Sequence, residues 1–175
     1  EDAGVNTKNF QAILPLPFSL VGSEKVIDLD GPWAFSHSID VSLSTGLPLF
    51  GGHMSRTSWA TTKKECQMVA HQILPKPILD DLDPTRNILV LWSYQNLSEG
   101  ELFVRDHAKS IWKNAHFEVY EISVQQLRSA QEDYRTHLLE NNGLEVGFKT
   151  GEFPKSELPV KAGQQLIDFT TNDSL

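Results

Sequence analysis

Five consecutive apolar residues, Ile88-Leu89-Val90-Leu91-Trp92, constrain the fold of this chain more than any other feature. The run is too short for a helix of useful length and far too short to span a bilayer. It reads instead as a strand covered on both faces. Such a strand needs packed layers above and below it, so the chain is expected to build a sheet with helices on it.

The segments around the run support that expectation. Ser98-Glu99-Gly100-Glu101 and Ser123-Val124-Gln125-Gln126 have capping-box spacing, with a hydroxyl first and an acid or amide three residues on. The first predicts a helix over residues 99–113, with Val104, Ala108 and Ile111 on one face. The second predicts a helix running to about Asn141, with Val124, Leu127, Tyr134 and Leu138 inward. Between them, Phe117 to Ile122 alternates as a strand. A strand–helix–strand unit from Ile88 to Ile122 implies a parallel pair. Thr62-Lys63-Lys64-Glu65 has the same capping-box spacing and predicts a helix that Pro75 and Pro77 end. Asp80 to Pro84 reads as a solvated loop.

The first sixty residues read as strands in hairpins. Leu14-Pro15-Leu16-Pro17 is extended, because each proline bars helix at the residue before it. Val26 to Leu29 leads into a turn at Asp30-Gly31-Pro32. Trp33 to Leu43 alternates loosely through Phe35, Ile39, Val41 and Leu43, a strand with one wet face. Gly51-Gly52 punctuates the end of Leu47 to Phe50. Short strands are expected at Leu144 to Phe148, after Gly143, and around Gln165 to Phe169. The sum is an α/β fold, with α+β as the neighbouring class. It is a mixed sheet with N-terminal hairpin strands and a C-terminal βαβα half, and about three helices packed on it. One globular domain spanning 1–175 is expected, loose over 1–13.

Charge narrows the partner classes. The formal net charge is −8, and the basic residues are scattered, so nucleic acid is not expected as a partner. No apolar stretch would span a membrane, no signal-peptide pattern is present, and the chain is expected to be soluble. A start at Glu1-Asp2-Ala3 suggests a processed product or an excised domain. A peptide or protein remains as the macromolecular partner class. No cofactor is expected. The histidines at 37, 53, 71, 107, 116 and 137 show no paired metal-ligand spacing.

Candidate chemistry centres on Cys66, the one cysteine, which cannot close an internal disulfide. In the first turn of the helix expected after Thr62, the dipole would favour its thiolate. His116, at the start of the Phe117–Ile122 strand, is the candidate base. Phe50-Gly51-Gly52, then Glu65-Cys66, then Leu82-Asp83-Pro84 leading into Ile88–Trp92, then His116-Phe117-Glu118-Val119-Tyr120 stand in an informative order. That order resembles the NlpC/P60 group of papain-like cysteine peptidases and amidases. The resemblance covers the middle of the chain and implies a cysteine nucleophile, Cys66, with a histidine base, His116. The chain has Gln67-Met68 where that group has Ser-Gly, and no third polar residue is identified.

Two further patterns carry chemistry. Thr57-Ser58-Trp59 and Glu99-Gly100-Glu101 resemble the Ser-Thr-Ser and Glu-x-Glu motifs of ADP-ribosyltransferases, with His37 in the place of an earlier arginine. Asp28-Leu29-Asp30-Gly31 resembles the nucleophile loop of haloacid dehalogenase phosphatases, although Pro32 replaces the threonine. The loop Ser93 to Ser98, between strand and helix N-terminus, is where an anion would sit in an open α/β sheet. A cysteine-dependent amide hydrolase is the sharpest expectation. A non-catalytic α/β binding or protein-interaction module, using a crevice or a sheet edge, is the alternative. An ADP-ribosyltransferase-like domain is the third.

Overall fold

A computed structural model describes residues 6–21, 32–53 and 58–142. These lie within the unit Glu1–Gly143. The strands expected at Leu144 to Phe148 and Gln165 to Phe169 lie outside the described residues, as do the Val26–Gly31 segment and Thr57.

The elements in chain order are β1 (Phe10–Leu16), β2 (Leu20–Val21), α1 (Pro32–Thr45), β3 (Gly52–His53), α2 (Trp59–Met68), β4 (Asn87–Trp92), α3 (Glu99–Asp106), β5 (Lys109–Lys113), β6 (Glu118–Ser123) and α4 (Val124–Asn142). Four strands form a mixed sheet in the order β1-β4-β6-β5. β4 runs parallel to β1 and antiparallel to β6, which is antiparallel to β5. β2 and β3 form a small parallel pair. The fold is α/β with a mixed sheet.

β4 is the central strand that its sequence implies. Ile88 and Val90 point into a large cluster with Leu14, Leu16, Met68 and Val104. Leu89 and Leu91 point the other way, into a smaller cluster with Phe10, Ile13 and Val119. Each side chain removed from water this way contributes roughly 1.5–3 kcal/mol. β1 begins at Phe10, inside the stretch expected to be loose. Phe10, Ala12 and Ile13 are buried there, and apolar burial holds the chain in register.

Several local expectations are corrected. Trp33 to Leu43 is helix, not strand: α1 begins at Pro32, where a missing N–H costs nothing. Its inward face carries Ser38 and the half-buried Val41, Ser42 and Thr45. Ile39 and Leu43, which made the alternation look like a strand, are exposed. The N-terminal strands are therefore not hairpin-connected. α3 stops at Asp106, and Lys109–Lys113 is a strand. That extra strand reverses the direction of the next one. The parallel crossover from β4 through α3 thus reaches β5, while β6 lies between them and runs antiparallel.

Close joints fix the helices. Gly100 lies against the end of α2, so that an added Cβ would meet the Val69 carbonyl oxygen at 2.1 Å. Lys76 is 5% exposed, and its Nζ donates to the carbonyls of Gln67 (3.1 Å), Met68 (2.8 Å) and Ala70 (2.8 Å). It thereby satisfies carbonyls that the end of a helix leaves orphaned. Burial, and Arg135 nearby, bring its pKa down to about 8.

Candidate functional site

α2 begins one turn earlier than the spacing of Thr62 to Glu65 suggests. Ser58 is its N-cap and accepts from the Thr61 N–H at 3.2 Å. Thr62 lies inside the helix, buried, and its hydroxyl has no hydrogen-bond partner among the described residues. Cys66 consequently falls in the last turn of α2, not the first. The dipole there opposes a thiolate instead of favouring it. Partial burial, and then the neighbouring Glu65 charge, push the Cys66 thiol above its usual pKa. The half-buried Cys66 packs against the larger core cluster.

His116 lies in the turn joining β5 to β6 and is exposed. Asn114 shapes that turn: its side-chain oxygen accepts from the N–H groups of His116 (2.7 Å) and Phe117 (2.9 Å). Phe117 packs into the smaller cluster, across the sheet from the cluster that holds Cys66. No hydrogen bond or ring contact between Cys66 and His116 is seen.

The ADP-ribosyltransferase-like residues have separate structural roles. Ser58 caps α2. His37, on α1, meets the Phe117 ring at 6.0 Å on the smaller-cluster side. Glu99 sits beside His71, at 3.3 Å from its Nε2. Glu101 is buried, and both its oxygens are engaged: Oε1 accepts from Phe18 N–H (2.6 Å), and Oε2 accepts from Ser98 N–H (2.7 Å) and Ser98 Oγ (2.8 Å). This carboxylate stands at the N-terminus of α3, so the anion expected after the Ser93–Ser98 loop is supplied by the chain itself. The Asp28–Gly31 motif lies outside the described residues.

A different set of side chains converges at the carboxyl end of β4. Tyr94 has φ 60°, the left-handed region that bulky residues avoid. Its ring meets Trp92 edge-on at 5.0 Å, and its hydroxyl donates to the Asn114 carbonyl at 2.8 Å. The Arg105 guanidinium, from α3, lies 4.7 Å from the centre of the Trp92 ring. Trp92 Nε1 donates to the Gln95 carbonyl at 3.0 Å, which fixes the indole. Tyr120 and Glu118 on β6 continue the surface. Burial, then a hydrogen bond to Glu118, push the Tyr120 hydroxyl up to about 12. The result is a ledge of two aromatic rings and a guanidinium, with Tyr94 42% exposed. The sequence signal for it was Trp92-Ser93-Tyr94 at a strand's carboxyl end, where ligands of α/β sheets gather.

A groove of about 630 Å³ lies beside α3 and α4, lined by Phe103, His107, Ala130, Asp133, Tyr134 and His137 among others. Among the described residues, no group of three His, Cys, Asp or Glu side chains could hold a metal ion. Nor is any helix among them long and apolar enough to cross a membrane. Comparison with protein-family models, with curated proteins and with solved structures finds no match to this chain.

Proposed function

We propose that this domain is a non-catalytic protein-interaction module that holds a peptide segment of its partner on the Trp92–Tyr94–Arg105 ledge. The observation that carries this reading is Tyr94, a bulky residue in left-handed backbone with its ring exposed. That backbone costs about 1–2 kcal/mol. The edge-on contact with Trp92 returns about 0.5–1.5 kcal/mol. The exposed hydrogen bond to Asn114 returns about 0.5–1.5 kcal/mol. Together the returns, about 1–3 kcal/mol, offset that cost, so the strained backbone is held while the outer face of the ring stays open to a partner. Trp, Tyr and Arg are also the residues that dominate binding hot spots, and the Arg105 guanidinium is fixed on the indole and by Asp106 Oδ1, to which its Nε and Nη2 donate at 2.9 and 2.6 Å.

The thiol-hydrolase reading has less support. Cys66 sits at the unfavourable end of its helix with a raised pKa, and His116 is tied into a turn packed on the opposite face. Iodoacetamide should therefore label Cys66 slowly at pH 7 in the folded chain, and faster as pH rises. Rapid neutral-pH labelling, or amide cleavage abolished by Cys66→Ala, would return the enzyme reading.

Displayed random peptides selected on the intact chain, each then titrated by fluorescence anisotropy, test the ledge directly. Tyr94→Gly should weaken binding at least about tenfold, while stability falls by no more than about 1–2 kcal/mol, because the relieved left-handed backbone offsets much of the lost ring contact and of the added freedom of the unfolded chain. Unchanged binding in Tyr94→Gly would sink the proposal. So would a large fall in stability, since the tyrosine would then be structural.

A further inference from the structure

We infer that the groove between α3 and α4 binds a small organic cation, an amine carried on a flat apolar body. This site is separate from the ledge and stands independently of it. The groove holds about 630 Å³, a volume that suits a small molecule. One wall is Phe103 and His107, at the end of α3; the other is a stripe of α4 that includes Ala130, Asp133 and Tyr134. Aromatic rings line it and hold one another in place. Phe103, 8% exposed, has its ring centre 4.3 Å from that of His107 and meets Tyr134 edge-on at 6.2 Å. Tyr134 in turn meets His71 edge-on at 6.0 Å. His71 is fixed at both ring nitrogens: Nδ1 accepts from Ile73 N–H at 3.2 Å, and Nε2 lies 3.3 Å from Glu99 Oε1. The rings are therefore set before a ligand arrives, which lowers the ordering cost of binding.

The polar groups decide the sign of the ligand. His107 Nδ1 lies 2.8 Å from the Phe103 carbonyl oxygen, which accepts and never donates. Nδ1 therefore carries the proton, and the neutral ring presents a bare Nε2 as an acceptor. Asp133 is exposed and makes no ion pair among the described residues. No lysine or arginine lines the groove, so with histidine neutral Asp133 is its one formal charge among the described residues. Aromatic faces are the negative ends of their quadrupoles and attract cations. An amine thus meets a carboxylate, an imidazole lone pair and ring faces, all of which favour positive charge. An anion would meet the same groups with no cation to receive it. The net charge of −8 adds to this preference at longer range.

The test titrates three related probes into the full chain and follows backbone amides by NMR. Tryptamine is a flat indole bearing an ammonium, tryptophol is its neutral alcohol, and indole-3-propionate is an anionic counterpart. Tryptamine should bind with a Kd of about 1 mM or tighter and shift amides of Phe103–His107 and Ala130–His137. Tryptophol should bind about tenfold more weakly, and the propionate should shift none of these signals. Asp133→Asn keeps the shape of the side chain and removes its charge. It should weaken tryptamine about fivefold and leave tryptophol unchanged. Retained tryptophol binding separates a lost charge from a lost fold. Ser129→Trp, at an exposed position on the groove wall, should block both probes, and Tyr94→Gly should affect neither. The inference is overturned if tryptamine fails to bind at about 10 mM. It is equally overturned if tryptophol or the propionate binds as tightly, if Asp133→Asn binds tryptamine as the wild-type chain does, or if the shifts map outside the groove.

Discussion

The two edges of the sheet were built from opposite kinds of sequence. β1 is apolar almost throughout, and every residue except Gln11 is buried. A strap from Pro48 to Phe50 lies along it, with an isolated bridge between Ile13 and Leu49. Glu65 on α2 faces the end of the strap: burial raises its carboxyl pKa, and the nearby Gly51 amide partly offsets that rise. Among the described residues β5 has no strap; Lys109, Ser110 and Lys113 are exposed, and Ile111 and Trp112 are half-buried. An apolar edge must be covered or it recruits other chains, while a charged edge can stay open. Among the described residues, one edge is closed by the chain's own strap and the other carries its lysines into water.

The largest test of that division is Gly51→Ala. Gly51 has φ 78°, and an added Cβ would meet the Ser19 carbonyl oxygen at 2.2 Å. Both the left-handed backbone and the clash with main chain resist the change. A loss of about 4 kcal/mol in urea unfolding is expected. A loss under about 1 kcal/mol would mean that the strap does not close its edge tightly.

A smaller effect concerns the end of the helix that faces the strap. Lys76 has a folded pKa of about 8, below the usual 10.5, so folding disfavours its charged form. That penalty is complete below pH 8 and is relieved as pH rises towards 10.5. Stability relative to Lys76→Met should therefore increase across that window, by up to about 3 kcal/mol. A flat difference between the two chains would show that the three carbonyls keep the ammonium as comfortable as water does.

The smallest expected change is at the open edge. Lys113→Glu should alter stability by less than about 0.5 kcal/mol, since the side chain is exposed and makes no ion pair among the described residues. A large loss there would erase the contrast between the edges.

What could be read from the chain follows from how local each signal was. β4, β6 and the caps at Ser98 and Ser123 were legible because a dry strand and a capping box are written in adjacent residues. The Ser123 box closes as expected, with Gln126 N–H donating to Ser123 Oγ and Ser123 N–H to Gln126 Oε1. α1 was not legible, because it buries Ser38 and exposes Leu43 at 79%. A helix whose dry side is polar and whose wet side is apolar carries a misleading period. β5 was hidden because Val104, Ala108 and Ile111 continue a helical spacing past the real end at Asp106. The Cys66 expectation depended on the start of one helix, and a shift of one turn carried the thiol to the other pole. The ledge was legible only as a location, since a left-handed Tyr94 depends on contacts with Asn114 and Trp92 that no local pattern encodes.

The joint at Gly100 sets how the two crossovers move. With no side chain in the way, the carbonyl-ended tip of α2 rests directly on the amide-ended start of α3, and the two poles compensate each other. Helices joined pole to pole in this manner resist sliding, because each small displacement uncovers partial charges in a dry place. The domain should therefore present its surfaces from a stiff frame, with little shear between α2 and α3.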